Sequence, residues 1–422
     1  MGTTPSSPAV VSRLAPLAAL RYRDFRLLWL GQLVSIAGSQ MRIVAVNVQV
    51  YELAKRGAAI DPALALGLIG LARAVPIVAT ALVSGLVADR ADRRSLLMLT
   101  TIGALVSSAV LALASGLASP PLWIVYAMVI LAAVVGAFEM PARQALIPSL
   151  VPAEILPNAL SLNIIAWQLA TIVGPTLAGI LIAWGGVAPV YWIDAASFLA
   201  VLLALLLMRS RAAPRASQPV TLAAALEGLR FVFRTPLIAS TMLLDFFATF
   251  FGAALTLLPL FADKVLHVGA IELGWMYAAP SVGAVLAATA LASATIRRQG
   301  PVLFWSIAIF GVCTAVFGIS RWLPLTLLAL AGTGASDTVS MVIRGTIRQL
   351  MTPDDLRGRM TAVNMVFFAG GPQLGELESG IAASLIGGPA AVFLGGALCV
   401  AMVGWVAWRY AELRRYDGPA AA

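Results

Sequence analysis

Residues 63–117 read ALALGLIGLARAVPIVATALVSGLVADRADRRSLLMLTTIGALVSSAVLALASGL, and the order of apolar and charged residues in this stretch decides the fold. Two apolar runs, 63–87 and 95–117, flank a short loop that contains the charged residues of DRADRR. A helix of about 20 mostly apolar residues crosses the hydrocarbon core of a bilayer, and each run has that length. The stretch therefore predicts two membrane-spanning helices joined by a charged turn.

The same alternation continues along the chain. Of the 422 residues, 60% are hydrophobic and only 11% are charged, which is far from the composition of a soluble domain. The pattern predicts an all-α integral membrane protein in which the lipid bilayer is the solvent. The twelve predicted spans are 27–53, 63–87, 95–117, 122–142, 158–184, 190–208, 237–262, 272–295, 301–320, 323–344, 360–385 and 390–409.

Basic residues are distributed unequally between the two ends of these spans. Of the 28 lysines and arginines, 22 fall at the end that carries both termini, Arg344 among them, and four fall at the opposite end. Basic loops stay in the cytoplasm, so a multi-pass protein of the plasma (inner) membrane with both termini cytoplasmic is predicted. The net charge of +9 then reflects topology and indicates no nucleic-acid partner.

The longest polar segment, which includes RSRAAPRASQP (209–219), divides the spans into six and six. The predicted organisation is a cytoplasmic N-terminal tail (1–26), a six-helix bundle (27–208), a cytoplasmic linker (209–236), a second six-helix bundle (237–409) and a cytoplasmic C-terminal tail (410–422).

A shift of 201 positions aligns part of the second half with the first without a gap. The matched pairs are Arg143 with Arg344, Pro152 with Pro353, Glu154 with Asp355, Asn163 with Asn364, Gly174 with Gly375 and Gly179 with Gly380. Both copies begin at the predicted cytoplasmic side, so the repeat is parallel. Two parallel six-helix halves around a midplane site are known among secondary transporters.

The loop GLVADRADRR (85–94) resembles the signature loop of the major facilitator superfamily, a Gly-x-x-x-Asp-Arg-x-x-Arg-Arg pattern. The matching residues are Gly85, Asp89, Arg90, Arg93 and Arg94, whereas Asp92 stands where the family often has glycine. The resemblance implies the twelve-helix major facilitator fold and a loop that acts as a conformational latch.

Three further stretches narrow the resemblance. PARQALIPSLVPAEILPNALSLN (141–163) and TPDDLRGRMTAVN (352–364) are similar to the branch of drug and siderophore exporters that includes the enterobactin exporter and macrolide-efflux proteins. VGPTLAGIL (173–181) resembles the Gly-Pro antiporter motif, matched at Gly174, Pro175 and Gly179. This resemblance implies efflux by antiport.

The signature loop also has a physical interpretation. Asp89 would lie near the N-terminus of span 11, where the helix dipole and the guanidinium groups of Arg357 and Arg359 attract a carboxylate. Such a contact would latch one conformation. The arginines of the loop could equally serve only to fix topology.

Charged residues inside a membrane are costly and are functional candidates by default. The candidates for ion coupling or substrate binding are Arg42, Arg73, Asp245, Asp337, Glu376 and Glu378, with Glu139 near a helix end as a weaker one.

Two arrangements of these residues are predicted. Arg73 and Glu376 lie at similar depths, so an ion pair between spans 2 and 11 is expected, with Glu376 favoured over Glu378. Span 1 presents Ser35, Ser39, Arg42 and Gln49 on one stripe that is expected to line the pore, although such residues also serve in helix packing.

Several function classes find no support. Neither lysine of the chain lies in a phosphate-binding Gly-x-x-x-x-Gly-Lys motif, the single histidine cannot form a metal cluster, and the two cysteines show no metal or redox spacing. We expect no enzyme activity, no cofactor and no metal. The prediction is a monomeric, secondary-active exporter of small amphipathic molecules coupled to H+. An importer, a lysophospholipid flippase, a membrane receptor and a membrane enzyme stay as alternatives.

Overall fold

The computed structural model describes residues 17–57, 59–90, 92–117, 120–209, 230–293, 296–353 and 357–418, and their side chains except at 81–86, 88–90, 357–359 and 361–369. Twelve long helices lie in these ranges. They are α1 (Arg23–Lys55), α2 (Pro62–Arg90), α3 (Arg93–Ser115), α4 (Leu122–Leu146), α5 (Leu156–Gly185), α6 (Val187–Leu207), α7 (Pro236–Phe251), α8 (Ala270–Ala292), α9 (Gln299–Ile319), α10 (Leu323–Met351), α11 (Arg357–Ile386) and α12 (Gly388–Arg409).

The helices agree with the predicted spans to within a few residues at most ends, and α10 continues to Met351, past the predicted end at residue 344. Judged on the described residues, every one of these helices except α11 is long and apolar enough to cross a membrane, if α7 is taken together with the segment that follows it to Leu266. The all-α membrane fold is therefore confirmed.

Packing divides the helices into two halves. In the first half α1 packs against α5 and α6, α3 packs against α4 and α6, and α2 packs against α4. In the second half α8 and α9 pack against α10, α9 packs against α12, and α7 packs against α11 and α12. Extensive contacts between the halves are made by α2 with α11 and by α5 with α8.

Two glycines show the repeat in the backbone. Gly186 joins α5 to α6 with a φ angle of 72°, and Gly387 joins α11 to α12 with a φ angle of 86°. The two residues are 201 positions apart, which is the same shift that aligns the sequences. A positive φ favours glycine because it has no Cβ atom, so both turns require this residue.

Each of the four helices that join the halves contains an internal proline: Pro76 in α2, Pro175 in α5, Pro280 in α8 and Pro372 in α11. Proline removes one backbone hydrogen bond and bends a helix. The chain also breaks its regular helix after α7, where 3-10, α and π turns follow one another between Leu255 and Leu266.

Candidate transport site

The halves meet closely at one end of the molecule, where α1 ends and α2 begins; we call it the distal end, and the opposite end, where α6 ends, the linker end. Gly67 of α2 lies against Gly380 of α11 so closely that a Cβ atom added to Gly67 would be 2.8 Å from the Cα atom of Gly380. One turn further along α2, Gly70 contacts the backbone of Gln373. Small residues thus allow the two backbones to touch across the halves.

A second glycine contact joins α5 to α8 at the same end. A Cβ atom added to Gly179 would lie 3.0 Å from the Cα atom of Gly274, and one added to Gly274 would lie 2.6 Å from the carbonyl oxygen of Pro175. Gly174 packs instead within its own half, against Ala37 and Gln40 of α1. The antiporter-like motif therefore lies where α5 contacts both α1 and the other half.

The repeat pairs occupy equivalent places in these contacts. Gly179 and its partner Gly380 both touch a glycine of the opposite half, whereas Gly174 and its partner Gly375 both touch a neighbour in their own half. Glycines that are 201 positions apart in the sequence therefore make equivalent packing contacts in the structure.

A side-chain bridge closes the rim of the distal end. The Tyr51 hydroxyl and the Lys55 ammonium of α1 both donate to Oδ2 of Asp263, each at 2.7 Å. Asp263 belongs to the segment after α7, so the bridge joins the two halves. A cavity of about 500 Å³ beside it is lined by residues from both halves.

A layer of polar side chains lies beneath the glycine contacts, toward the middle of the molecule. The Asn47 amide of α1 donates to the Tyr277 hydroxyl of α8 at 2.8 Å. Nη1 of Arg73 in α2 lies 3.6 Å from Oε1 of Glu376 in α11. The structure thus brings together the two residues for which the depth argument predicts an ion pair. Both contacts cross from one half to the other.

Asp245 and Asp337 share one partner, Arg344. Nη1 of Arg344 lies 2.6 Å from Oδ1 of Asp245, and Nη2 lies 3.5 Å from Oδ1 of Asp337. The arginine is 5% exposed, whereas the side chain of Asp337 is 46% exposed. The predicted end of this span at Arg344 is therefore too early, because α10 continues for seven residues beyond it and Arg344 contacts Asp245 of α7 and Asp337 of α10 itself.

Arg42 does not face the other half. Its Nε atom lies 2.9 Å from Oδ2 of Asp194 in α6, which is fully buried and also accepts a hydrogen bond from Ser108 at 2.6 Å. At 100° per residue, Arg42 and Gln49 lie about 140° and 200° around α1 from Asn47, which faces α8. Gln49 accordingly bonds to Tyr191 and Ser115 of its own half.

The expectation that the α1 stripe lines a pore is therefore wrong for Arg42 and Gln49, which face α3 and α6. Asp194 is a charged residue that sequence reasoning missed. Its signal was present, because an aspartate in the apolar run YWIDAASFLAVL (191–202) has to find a partner or a proton.

The two remaining carboxylate candidates are less connected. Glu139 pairs with Arg143 one turn along α4 at 3.7 Å. Glu378 is half-buried on α11 and forms no ion pair with another described residue.

The described part of the signature loop binds helix ends of the first half. Arg93 donates to the carbonyl oxygen of Ala145 at 2.8 Å, and Arg94 donates to that of Leu206 at 3.3 Å. These carbonyls lie at the C-termini of α4 and α6, where positive charge is favourable. The side chains of Gly85, Asp89 and Arg90, and those of Arg357 and Arg359, lie outside the described residues.

Asp92, which departs from the signature pattern, caps α3. Its carboxylate accepts hydrogen bonds from the backbone N–H and the hydroxyl of Ser95. These bonds hold the pKa of Asp92 below its usual value. An aspartate at this position satisfies helix donors that glycine would leave to solvent.

Comparison with known proteins identifies the family. A family model described as "Transmembrane secretion effector" matches residues 13–420. Enterobactin exporters EntS of Shigella boydii serotype 18 and of Escherichia coli O81 are each 28% identical to the chain over 401 residues, which is 93% of the chain and 93% of either relative.

Solved structures share the fold at low identity. The human organic anion transporter MFSD10 matches with a TM-score of 0.65 and 16% identity, over 91% of this chain and 99% of that one. A bacterial homolog of the human lysosomal transporter Spinster matches with a TM-score of 0.69 and 16% identity, over 94% and 99%. The chain therefore belongs to the transmembrane secretion effector family of the major facilitator superfamily and is a multi-pass membrane transporter of small molecules.

Proposed function

We propose that this transporter exports small amphipathic molecules from the cytoplasm by alternating access, driven by proton entry, as a monomer in the cytoplasmic membrane. The observation that carries the proposal is the closed distal end. There the glycine contacts, the Asn47–Tyr277 hydrogen bond and the Asp263 bridge all join one half to the other. Such an end can open only if the halves move apart.

The positive-inside rule supports the direction of this closure. Basic residues are concentrated at the linker end, so that end is assigned to the cytoplasm and the distal end to the outside. In that orientation the structure corresponds to the state closed to the outside. An exporter in this state receives its substrate from the cytoplasm or the inner leaflet.

Carboxylates with shared or incomplete partners support ion coupling. Asp245 and Asp337 share Arg344 as an ion-pair partner. Oε1 of Glu376 lies 3.6 Å from Nη1 of its partner Arg73, which is longer than a hydrogen bond. A carboxylate held in a low-dielectric site can take a proton when its arginine moves away. Proton binding on one side and release on the other would then drive the exchange.

The signature loop would bias the same equilibrium. Asp89 at the linker end would hold the N-terminal end of α11 when that end is closed. A contact worth about 1–3 kcal/mol changes the population of two states several-fold to a hundredfold. Arg93 and Arg94 would support this loop by fixing it to α4 and α6.

The relatives favour export over import, since those cited are named as exporters of enterobactin. A test of the proposal uses proteoliposomes, an imposed pH gradient, a fluorescent cationic dye and a panel of amphipathic antibiotics. Transport by the intact protein is compared with that by Asp245→Asn, Asp337→Asn and Glu376→Gln. The matched control is Glu378→Gln, which makes the same change on α11 at a residue that forms no ion pair within the described part of the chain.

We expect gradient-driven flux that at least one of the three variants abolishes and that the control retains. Flux that is indifferent to the pH gradient and to all three variants would refute proton antiport. Flux that persists only with a sodium gradient would refute the choice of proton while leaving export intact.

A further inference from the structure

Three oxygen atoms in the polar layer of the candidate site have no hydrogen-bond donor among the described residues. Oε2 of Glu376, Oε1 of Gln373 and Oδ1 of Asn47 are all buried and none of them accepts a hydrogen bond. Only 3% of the surface of Asn47 is exposed. Buried polar atoms are nearly always paired, so three unpaired oxygens in one layer call for a donor from outside the chain.

Two of the three oxygens lie on neighbouring residues of α11, and the third lies at a similar depth on α1. Gln373 and Glu376 are neighbours on the face of α11 that contacts Gly70, and Arg73 follows Gly70 by one turn of α2. Asn47 is joined to the other half at this depth by its hydrogen bond to Tyr277, which follows Gly274 by about one turn of α8.

Arg73 satisfies this cluster only in part. Its Nη1 atom is 3.6 Å from Glu376 Oε1, which exceeds the length of a hydrogen bond, and no bond reaches Oε2. A group with several N–H donors and a positive charge would match the carboxylate and the two amide oxygens better. A carboxylate or phosphate could pair with Arg73, but it would meet the like charge of Glu376 and would leave the two amide oxygens unpaired.

From this layer we infer a subsite for the primary ammonium group of a substrate, bound by Glu376, Gln373 and Asn47 in competition with Arg73. The inference rests on the proposed function and specifies its substrate class. It also gives the substrate a mechanical effect. An ammonium that takes Glu376 from Arg73 weakens a contact between α2 and α11, and so favours opening of the distal end.

Binding is measured on the intact protein in nanodiscs with two fluorescent probes of similar body. Dansylcadaverine ends in a primary ammonium, and dansyl-6-aminohexanoic acid ends in a carboxylate. Titrations are made without a gradient, so the result does not depend on coupling or on the direction of transport. A thermal unfolding curve for each variant shows that it is folded.

Glu376→Gln should weaken dansylcadaverine binding about tenfold or more, because a charged hydrogen-bonded contact is lost. The same change should leave the weaker binding of the carboxylate probe unaltered. Glu378→Gln is the matched control and should change neither probe. Arg73→Met should strengthen dansylcadaverine binding, since it removes the competitor.

Two results would overturn the subsite: equal effects of Glu376→Gln and Glu378→Gln, or weaker dansylcadaverine binding by folded Arg73→Met. Failure of the proposed function has a different signature. If the subsite is right and proton-driven export is wrong, the binding pattern holds while flux ignores the pH gradient.

Discussion

Arg344 is held between two carboxylates, and its removal would leave both without an ion-pair partner among the described residues. Losing one member of a buried ion pair costs about 3–5 kcal/mol, so Arg344→Gln should lower the thermal unfolding temperature clearly. Arg344→Gln combined with Asp245→Asn should recover most of that loss, because the more buried of the two carboxylates then no longer carries an unpaired charge. Thermal unfolding in detergent measures both.

This prediction would be contradicted if the effects of the two substitutions on the unfolding temperature were additive. If the double variant loses the sum of the two single losses, Asp245 and Arg344 do not act on one another. Asp337→Asn serves as the comparison, since its side chain is 46% exposed and its oxygen lies 3.5 Å from the arginine. It should recover less than Asp245→Asn does.

Variants of the ion pair between Arg42 and Asp194 can show whether this pair only stabilises the first half or also takes part in transport. Replacing a buried ion pair by apolar residues of similar size is often neutral for stability, and this pair faces α3 and α6. Arg42→Met with Asp194→Leu should therefore keep transport in the dye assay, whereas Asp194→Leu alone should destabilise the protein by leaving Arg42 unpaired. A folded double variant without transport would show that the pair takes part in the cycle.

Some of these residues could be predicted from the sequence and others could not. Depth along a helix follows from the rise per residue, so Arg73 and Glu376 could be matched before any coordinates were known. The continuation of α10 past Arg344 could not be predicted, because hydropathy marks where a span leaves the lipid and not where its helix ends. Arg42 required the position of α1 relative to its neighbours, which no local pattern contains.

At the scale of elements, the helices that join the halves depend on glycine. A Cβ atom added at Gly67 would lie 2.8 Å from the Cα atom of Gly380, so Gly67→Ala has to push α2 and α11 apart. Overpacking of this kind costs about 1–3 kcal/mol, and the cost falls on the state that is closed at the distal end. The variant should unfold at lower temperature and open more often at that end.

Gly136→Ala in α4 is the matched control for this substitution, because nothing lies within 4 Å of its added Cβ atom. Alanine is favoured over glycine in helix interiors by about 1 kcal/mol, so the control should be neutral or slightly stabilising. The two glycine variants thus have opposite expected signs in the same thermal unfolding experiment. Equal shifts for both would remove the role assigned to the contact between α2 and α11.

The sequence predicts the helices well because a bilayer leaves few alternatives. Every backbone polar group in lipid needs a partner within the segment, so a long apolar run in a chain of this composition is a helix. The irregular turns from Leu255 to Leu266 escaped prediction, since they follow α7 without a change in composition. There the chain packs against the other half instead of against lipid, through Thr256 and the Leu66 carbonyl oxygen.

At the scale of the whole molecule, contacts between the halves form successive layers at the distal end. From Asn47 to Lys55 these layers extend over about 12 Å of α1, at a rise of 1.5 Å per residue. Which end is closed could not be predicted from the sequence. A transporter's states are two packings of the same chain that differ by a few kcal/mol, and both use the same apolar and glycine residues.

The rim bridge offers a test of the closed end by charge exchange. Lys55→Asp and Asp263→Lys each place like charges opposite one another between the halves, and the double variant restores opposite charges with reversed polarity. An exposed pair contributes at most about 1 kcal/mol, so each single variant should raise the population open at the distal end about two- to fivefold.

Access is followed with Gln373→Cys, which lies against Gly70 at the deepest of the glycine contacts between α2 and α11, in a background with Cys313→Ala and Cys399→Ala. A membrane-impermeant maleimide added outside right-side-out vesicles labels this cysteine only when the distal end is open. Labelling should be slow in the parent, faster in each single variant, and slow again in the double variant. Equal labelling in all four proteins would show that the bridge does not hold the halves together, whereas fast labelling of the parent would place the closed end on the cytoplasmic side of the membrane.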